Sequence, residues 1–125
     1  MIKLLLLMIL MHIVDDYYLQ GILAIMKQKK WWREQEWYKS LYKNDYKMAL
    51  LIHSMSWSIM IILPAMFILN TNQYILLGIF IINTFVHYHI DDLKANKLQI
   101  NLMFDQTIHF MQIIATWIIV QQWVM

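Results

Sequence analysis

The stretch from residue 48 to residue 93 decides the fold. It reads MALLIHSMSWSIMIILPAMFIL over 48–69, NTNQ over 70–73 and YILLGIFIINTFVHYHIDDL over 74–93. Each of the two outer parts is close to the roughly 20 apolar residues that a helix needs to cross about 30 Å of hydrocarbon. Because only four polar residues separate them, they predict a tight pair of antiparallel transmembrane helices.

The composition of the whole chain extends this prediction. Of its 125 residues, 61% are hydrophobic and 14% are charged, against about 45–50% and about 25% in soluble domains. Two further apolar stretches, at about 2–20 and 105–124, complete an expected all-α bundle of four transmembrane helices in one domain, 1–125. The first stretch is not read as a signal peptide, because it lacks a small-residue cleavage site and leads into His12 and Asp16.

Positive charges lie mainly in two segments that this topology places on one side of the membrane. The segment between the first two spans contains Lys27, Lys29, Lys30, Arg33, Lys39, Lys43 and Lys47. Lys94 and Lys97 lie between the last two spans, whereas 70–73 has no basic residue. The positive-inside rule then predicts a multi-pass protein of the inner (cytoplasmic) membrane with both termini facing away from the cytoplasm.

The segment 22–46 combines these cations with aromatic residues. They are Trp31, Trp32, Trp37, Tyr38, Tyr42 and Tyr46. The mixture predicts an amphipathic helix at the cytoplasmic interface, with rings at headgroup depth and lysines near anionic lipid. Basic and aromatic residues also occur together on nucleic-acid-binding surfaces. Beside membrane spans we favour the lipid bilayer as the partner, and we expect no nucleic acid.

Ionisable residues inside the predicted spans repeat at one spacing. The pairs are His12 and Asp16, His87 and Asp91, and Asp105 and His109. A separation of four residues places both side chains on one helical face. Each such group costs about 2.5–3.5 kcal/mol in hydrocarbon on insertion scales, so these residues indicate a functional site.

These pairs and His53 are expected at one depth. His53 lies one turn inside the second span, and each pair lies within two turns of the cytoplasmic end of its span. Four imidazoles and three carboxylates would then meet, which is the inventory of a one- or two-metal site. The predicted metal ligands are His12, Asp16, His53, His87, Asp91, Asp105 and His109. The chain has no cysteine, so the expected cofactor is a divalent metal, zinc first, with manganese or iron as alternatives.

Other polar residues receive supporting or structural interpretations. Gln20, Asn83, Gln112 and Thr116 extend the same faces and are expected to orient ligands through hydrogen bonds. Lys94, one turn beyond Asp91, is expected to pair with it or to hold an anionic substrate. Asp15, Asp92 and His89 lie off these faces and are interpreted as structural. Taken alone, Asp105 would also suit a helix N-cap and His53 an interfacial position.

The motifs resemble those of a known family. HIVDDYYLQ at 12–20 is similar to the opening His-x-x-x-Asp-Phe-x-x-Gln of the domain of unknown function 3307 family, small membrane proteins of bacteria and their phages. His53, His87-x-x-x-Asp91-x-x-Lys94 and Asp105-Gln106-x-x-His109 look like its remaining motifs, in order over nearly the whole chain. Tyr17 stands where that family usually has phenylalanine. The resemblance implies the fold and the site but no activity, although similar membrane proteins are described as metal-dependent hydrolases.

We therefore expect a membrane-embedded metal-dependent hydrolase acting on a lipid or lipid-linked phosphate at the cytoplasmic leaflet. Asp16 or Asp105 would act as base and Lys94 would hold the anion. A second class is a non-enzymatic, phage-type membrane protein whose structural metal or polar cluster supports binding to a host membrane protein or self-association. A third is an ion or proton path, against which the apolar far halves of the second and third spans argue.

Overall fold

The computed structural model describes residues 1–37, 39–70 and 72–122. Every ordered element in this part of the chain is helical, which confirms the predicted all-α class. Tyr38 of the predicted interfacial segment, Thr71 of the predicted hairpin and the end of the predicted fourth span, 123–124, lie outside the described residues.

The helices differ greatly in length. Helix α1 spans Ile2–Ile13 and continues directly into a π-helical segment, Val14–Leu19. The remaining elements are α2 (Leu23–Met26), α3 (Lys29–Arg33), a 3-10 turn (Ser40–Tyr42), α4 (Asp45–Ile68), α5 (Gln73–Ala95) and α6 (Leu102–Gln122).

Three segments are long and apolar enough to cross a membrane, which indicates a membrane protein. They are Ser40–Ile68, Gln73–Ala95 and Leu102–Gln122. The predicted spans at 48–69, 74–93 and 105–124 fall on these helices, whereas the predicted span at 2–20 falls on α1, which is not among them. Helices α4 and α6 each begin three residues earlier than predicted. Helix α4 adds a polar first turn, Asp45-Tyr46-Lys47, beyond its apolar stretch, whereas α6 adds the apolar residues Leu102, Met103 and Phe104.

The four long elements pack in a ring. Helix α4 packs against α5, α5 against α6, α6 against α1, and α1 against α4. The indole nitrogen of Trp117, late in α6, donates a hydrogen bond of 3.2 Å to the carbonyl oxygen of Met1. The amino-terminal end of α1 therefore lies beside the carboxyl-terminal half of α6, as in a four-helix bundle with alternating directions.

The interior of this bundle is divided along its length. One half is a hydrophobic core of Leu4, Met8, Trp57, Ile61, Ile62, Ala65, Leu76, Ile79, Ile113 and Val120. The other half is filled by polar side chains. Helix α1 shows the change directly, because its buried face runs from Leu4 through Met8 to His12.

The interfacial segment is not the single amphipathic helix that the sequence predicts. It contains the short helices α2 and α3 and the 3-10 turn, and Gln28 between α2 and α3 is extended, with φ −93° and ψ 116°. Trp31, Trp32, Trp37 and Tyr42 pack against one another, with ring centroids 5.0–6.4 Å apart. Contacts among the aromatic rings thus fold the segment back on itself, which periodicity alone does not reveal.

Candidate metal centre

All seven predicted ligands lie in the polar half of the bundle. His12 and Asp16 come from α1 and its π-helical extension, His53 from α4, His87 and Asp91 from α5, and Asp105 and His109 from α6. Six of the seven are at most 1% exposed, and Asp16 is 8% exposed. The four-residue spacing within each helix and the ring of helices together bring imidazole and carboxylate groups into one cluster.

His53 lies at the junction of three helices. Its Nε2 atom is 3.1 Å from Nε2 of His87 on α5. The same atom is 3.5 Å from Oδ1 of Asp16 and 3.3 Å from Oδ2 of Asp91. Several potential ligand atoms therefore point at a single small volume instead of each having a separate partner.

His109 makes a corresponding junction between α5 and α6. Its Nε2 atom lies 3.3 Å from Oδ1 of Asp91 and 3.3 Å from Oδ1 of Asp105. The rings of His109 and His87 are stacked, with centroids 4.1 Å apart and planes inclined by 25°. Asp91 is thus shared, since its two oxygens reach histidines on two different helices.

Two overlapping groups have a geometry that could hold a metal ion. The first is Asp16, His53 and His87, and the second is His87, Asp91 and His109. Within each group, one ligand atom from every residue lies within 4.8 Å of the others. Such sets of imidazole and carboxylate groups are donors for zinc and for other divalent metals of borderline hardness.

Unpaired polar atoms support this interpretation. Among the described residues, Asp16 Oδ1, Asp105 Oδ1 and His109 Nε2 are buried and make no hydrogen bond of good geometry, although each lies 3.3–3.5 Å from another polar atom of the cluster. Buried polar groups are normally satisfied, and each exception needs a physical explanation, such as an ion. These residues fit a divalent metal, because the three atoms named are potential ligand atoms within the cluster.

His12 is close to the cluster but belongs to neither group. Its Nδ1 atom accepts a hydrogen bond of 2.8 Å from the indole nitrogen of Trp57, and its Nε2 atom lies 3.0 Å from Oε1 of Gln106. Both ring nitrogens are therefore engaged. Gln106 also donates to Asp105 at 3.0 Å, so the arrangement links α1, α4 and α6 beside the cluster.

Asp105 also lies outside both groups, and its second oxygen is paired with a lysine. Lys94 Nζ lies 2.6 Å from Asp105 Oδ2, and its side chain is 27% exposed. Lys94 thus pairs with Asp105. The sequence had suggested a pair with Asp91 or a contact with an anionic substrate. Its partial exposure places an ammonium group at the edge of the cluster.

Lys27 is a charged residue whose position the sequence predicts wrongly. Counted among the interfacial cations, it is only 7% exposed, and its Nζ atom lies 2.6 Å from Oδ2 of Asp91. The long aliphatic stem of a lysine lets a residue of a surface segment reach inwards. One sequence signal could have suggested that Lys27 is buried. It is the first cation of the segment 22–46 and directly follows the apolar residues 22–26.

The predicted orienting residues form a network on one side of the cluster. Nδ1 of His109 lies 3.3 Å from Oε1 of Gln112, and Gln112 donates to the backbone oxygen of Asn83 at 3.2 Å. Asn83 donates in turn to Thr116 at 2.9 Å. Gln20 instead donates to the backbone oxygen of Asp16. Hydrogen bonds of this kind fix the tautomer and orientation of a ligating histidine.

Of the three residues interpreted as structural, one lies beside the cluster. Asp15 is 1% exposed, accepts a hydrogen bond of 2.6 Å from Ser56 and lies 3.9 Å from Nδ1 of His53. Asp92 pairs with Lys97 at 3.4 Å, and His89 is exposed. The sequence thus missed Asp15 as a neighbour of the site, although the doubled acids at 15–16 were a signal.

Comparison of the chain with known protein families, with characterised proteins and with solved structures gives no match. The functional assignment therefore depends on the chemistry of the cluster itself.

Proposed function

We propose that this chain is a membrane-embedded, metal-dependent hydrolase whose substrate is a lipid phosphate or lipid-linked phosphate. The proposal depends on one observation. Three imidazole and two carboxylate groups from four helical elements meet in two groups whose ligand atoms lie within 4.8 Å. Such a convergence of ionisable side chains is expensive in a mostly apolar bundle and is expected where they bind an ion.

The metal would be held by Asp16, His53 and His87, with Asp91 and His109 adjacent. A divalent metal held by these residues would make a coordinated water acidic enough to lose a proton near neutral pH. Zinc is the first choice for these donors, with manganese or iron as alternatives. Asp105, whose Oδ1 has no hydrogen-bond partner among the described residues, is the candidate to accept a proton from the attacking water.

Lys94 is the candidate to hold an anionic group of the substrate. Its side chain is 27% exposed beside Asp105, so a phosphate at the edge of the cluster would meet an ammonium group there. The basic interfacial segment would attract anionic lipid to the same side. By the positive-inside rule we assign this side to the cytoplasmic leaflet of the inner membrane, with α1 as a fourth span and both termini on the opposite side.

A second function is favoured by the burial of the cluster. With six of its seven residues at most 1% exposed, a metal there would also serve as a purely structural centre. In that case the protein would be a small, non-enzymatic membrane protein of phage type that self-associates or binds a host membrane protein. Membership of the domain of unknown function 3307 family is compatible with both functions and is itself a proposal.

A proton or ion path has less support. Beyond the cluster the bundle interior is occupied by buried apolar side chains, including Met8, Ile61 and Leu76. A path across the membrane needs polar groups or water along its whole length. The hydrophobic core therefore favours a site that works from one side.

Metal analysis followed by a turnover assay separates the two main functions. Protein purified in detergent should contain a stoichiometric transition metal by mass spectrometry, and an absence of metal would remove both metal-based functions. The hydrolase should release inorganic phosphate from phosphatidic acid or a polyprenyl phosphate in mixed micelles, and a chelator should stop the release. For a structural metal, the chelator should lower the melting temperature, while the untreated protein already lacks phosphate release.

A further inference from the structure

A groove in the outer surface of the bundle lies between α5 and α6. Its volume is about 350 Å³, which is within the usual range for a site that binds a small molecule. Its walls are mostly apolar and are formed by Ile82, Val86, Ile108, Met111, Ala115 and Ile119. Ala115 has the smallest side chain of these residues, so it leaves room for a ligand against α6.

The floor of the groove consists of three buried polar residues, Asn83, Gln112 and Thr116. Asn83 donates to Thr116 at 2.9 Å, and Gln112 donates to the backbone oxygen of Asn83 at 3.2 Å. Because these groups bond to one another, the groove does not need a polar ligand along its length. Oε1 of Gln112 also lies 3.3 Å from Nδ1 of His109, so one side chain separates the groove from the metal-binding cluster.

One end of the groove leads towards Lys94. Positions 82, 86, 90 and 94 are spaced by four and follow one row along α5. Lys94 Nζ lies 2.6 Å from Oδ2 of Asp105, which precedes Ile108 by one turn of α6. The Lys94 side chain is 27% exposed, whereas that of Asp105 is 0% exposed. A ligand at this end would therefore meet an ammonium group between the same two helices.

The direction of the groove matches that of a lipid in its leaflet. Lys94 is next to the last residue of α5, and α6 begins at Leu102. The ammonium group thus lies near the ends of both helices, and the groove extends from there towards their middle. A membrane lipid has the same order, with its phosphate at headgroup depth and its acyl chain directed at the bilayer midplane.

A second groove, of about 780 Å³, lies between α4 and α5 and is larger. Asp45 and Lys47 both line it, and neither is buried. A phosphate there would meet a carboxylate as well as an ammonium group, so the charges favour the groove between α5 and α6 for an anionic lipid.

We propose that the groove between α5 and α6 holds the acyl chain of a lipid phosphate whose phosphate group binds Lys94. The lipid reaches the cluster laterally from the bilayer, between these two helices. An ammonium group has three donors, so Lys94 can bind the phosphate while it remains paired with Asp105. This inference rests on the proposed function and states how the substrate of the hydrolase is bound.

Photo-cross-linking of the full-length protein tests the site without requiring turnover. The probe is a phosphonate analogue of phosphatidic acid, which a phosphatase cannot cleave, with a diazirine in one acyl chain. It is used below saturation in lipid nanodiscs, and mass spectrometry locates the label. We expect label on α6 within 108–119. Ala115→Phe fills the groove from an exposed position and should lower this labelling several-fold, as should Ala115→Leu if the phenylalanine variant does not fold.

Lys94→Gln tests the headgroup contact. It should lower labelling by the phosphonate roughly 10-fold, as expected for the loss of one hydrogen bond to a charged group. Labelling by a diacylglycerol with the same diazirine chain should not change, because that lipid has no phosphate. An equal loss with both lipids would overturn the assignment of the phosphate to Lys94.

Ile81→Phe is the matched control, because it adds a ring at an exposed position of the groove between α4 and α5. It should leave the label on α6 unchanged. Label on α4 within 44–55 in place of α6, or full labelling of Ala115→Phe and Ala115→Leu, would overturn the proposal. So would a dimeric wild type that Ala115→Phe makes monomeric in native mass spectrometry, since a second copy of the chain would then occupy the groove.

The outcome for the hydrolase is separate. Label on α6 without phosphate release from phosphatidic acid would support the lipid site and contradict the catalytic function. Phosphate release with label elsewhere would support the hydrolase and overturn this site.

Discussion

Asp15 and Asp16 are neighbours in the chain, yet both side chains are buried in the interior. In a regular α-helix, consecutive side chains point about 100° apart. Here the backbone nitrogen of Gln20 bonds to the carbonyl oxygen of Asp15 at 3.1 Å, a link of five residues that widens the turn. The π-helical segment therefore turns Asp15 towards Ser56 on α4 while Asp16 faces His53. Such segments often occur at functional sites.

These two carboxylates should respond differently to removal of their charge. We expect Asp16→Asn to abolish zinc binding at the cluster, because Asp16 is the carboxylate of the first metal-binding group. We expect Asp15→Asn to retain zinc with affinity lowered by roughly 10–100-fold, the usual effect of losing an outer contact to a ligand. A competition titration with a chromophoric chelator measures both values.

The comparison is matched, since both substitutions remove one buried negative charge from adjacent positions. The asparagine amide oxygen at position 15 can still accept the hydrogen bond from Ser56. Equal losses in the two variants would show that total charge, and not the position of Asp16, governs metal binding.

His12 marks the limit of spacing arguments for a single residue. Its four-residue separation from Asp16 correctly places it beside the cluster, with Nδ1 3.6 Å from Asp16 Oδ2. Its hydrogen-bond partners, Trp57 and Gln106, come from α4 and α6. Those partners depend on how the helices pack. A sequence pattern within one helix could therefore place His12 beside the cluster, but it could not show that both ring nitrogens are engaged by hydrogen-bond partners.

At the scale of whole elements, long apolar helices were easier to predict than the segment between α1 and α4. The composition of that segment indicated its basic and aromatic character. It did not indicate where the helices in the segment end, or that the side chain of Lys27 points into the bundle. These depend on long-range contacts. Trp32 donates to the backbone oxygen of Met26 at 2.7 Å, and Asn96 bonds to the backbone of Lys27 and Lys29.

Asn96 should therefore hold α2 and α3 against the end of α5. We expect Asn96→Ala to speed amide hydrogen exchange across residues 23–33, because three of its side-chain hydrogen bonds are lost. The cost in stability should be roughly 1–3 kcal/mol, at about 1 kcal/mol for each bond. Hydrogen exchange with mass spectrometry in detergent reports the local effect, and thermal unfolding reports the global one.

Asn101→Ala provides a control at the start of α6. The Asn101 side chain accepts a hydrogen bond of 2.8 Å from the backbone nitrogen of Phe104, so its loss should loosen the first turn of α6 and leave 23–33 protected. Unchanged exchange of 23–33 in Asn96→Ala would mean that the aromatic contacts alone hold the segment.

At the scale of the whole molecule, the position of polar residues along each apolar stretch predicted that all four helices would contribute to one cluster. The ring of α1, α4, α5 and α6 brings that cluster together. Length and composition do not mark α1 as a span, because its apolar part is short and the π-helical segment includes two aspartates. Its packing gives stronger support, since Leu4 and Met8 lie in the same hydrophobic core as Val120 of α6.

The proposed four-span topology can be tested directly because the chain has no cysteine. Single cysteines at Lys3, Asn72 and Lys43, all exposed positions, would mark the start of α1, the turn between α4 and α5, and the interfacial segment. We expect a membrane-impermeant maleimide to label Lys3→Cys and Asn72→Cys in intact spheroplasts, and to label Lys43→Cys only after lysis. The reason is that six basic residues between α1 and α4 should keep that segment in the cytoplasm. Labelling of Lys3→Cys together with Lys43→Cys would show that α1 does not cross. If Lys43→Cys is the one variant of the three that is labelled in intact spheroplasts, the orientation is the reverse of the expected one but four spans remain. The metal cluster would then lie towards the outer side.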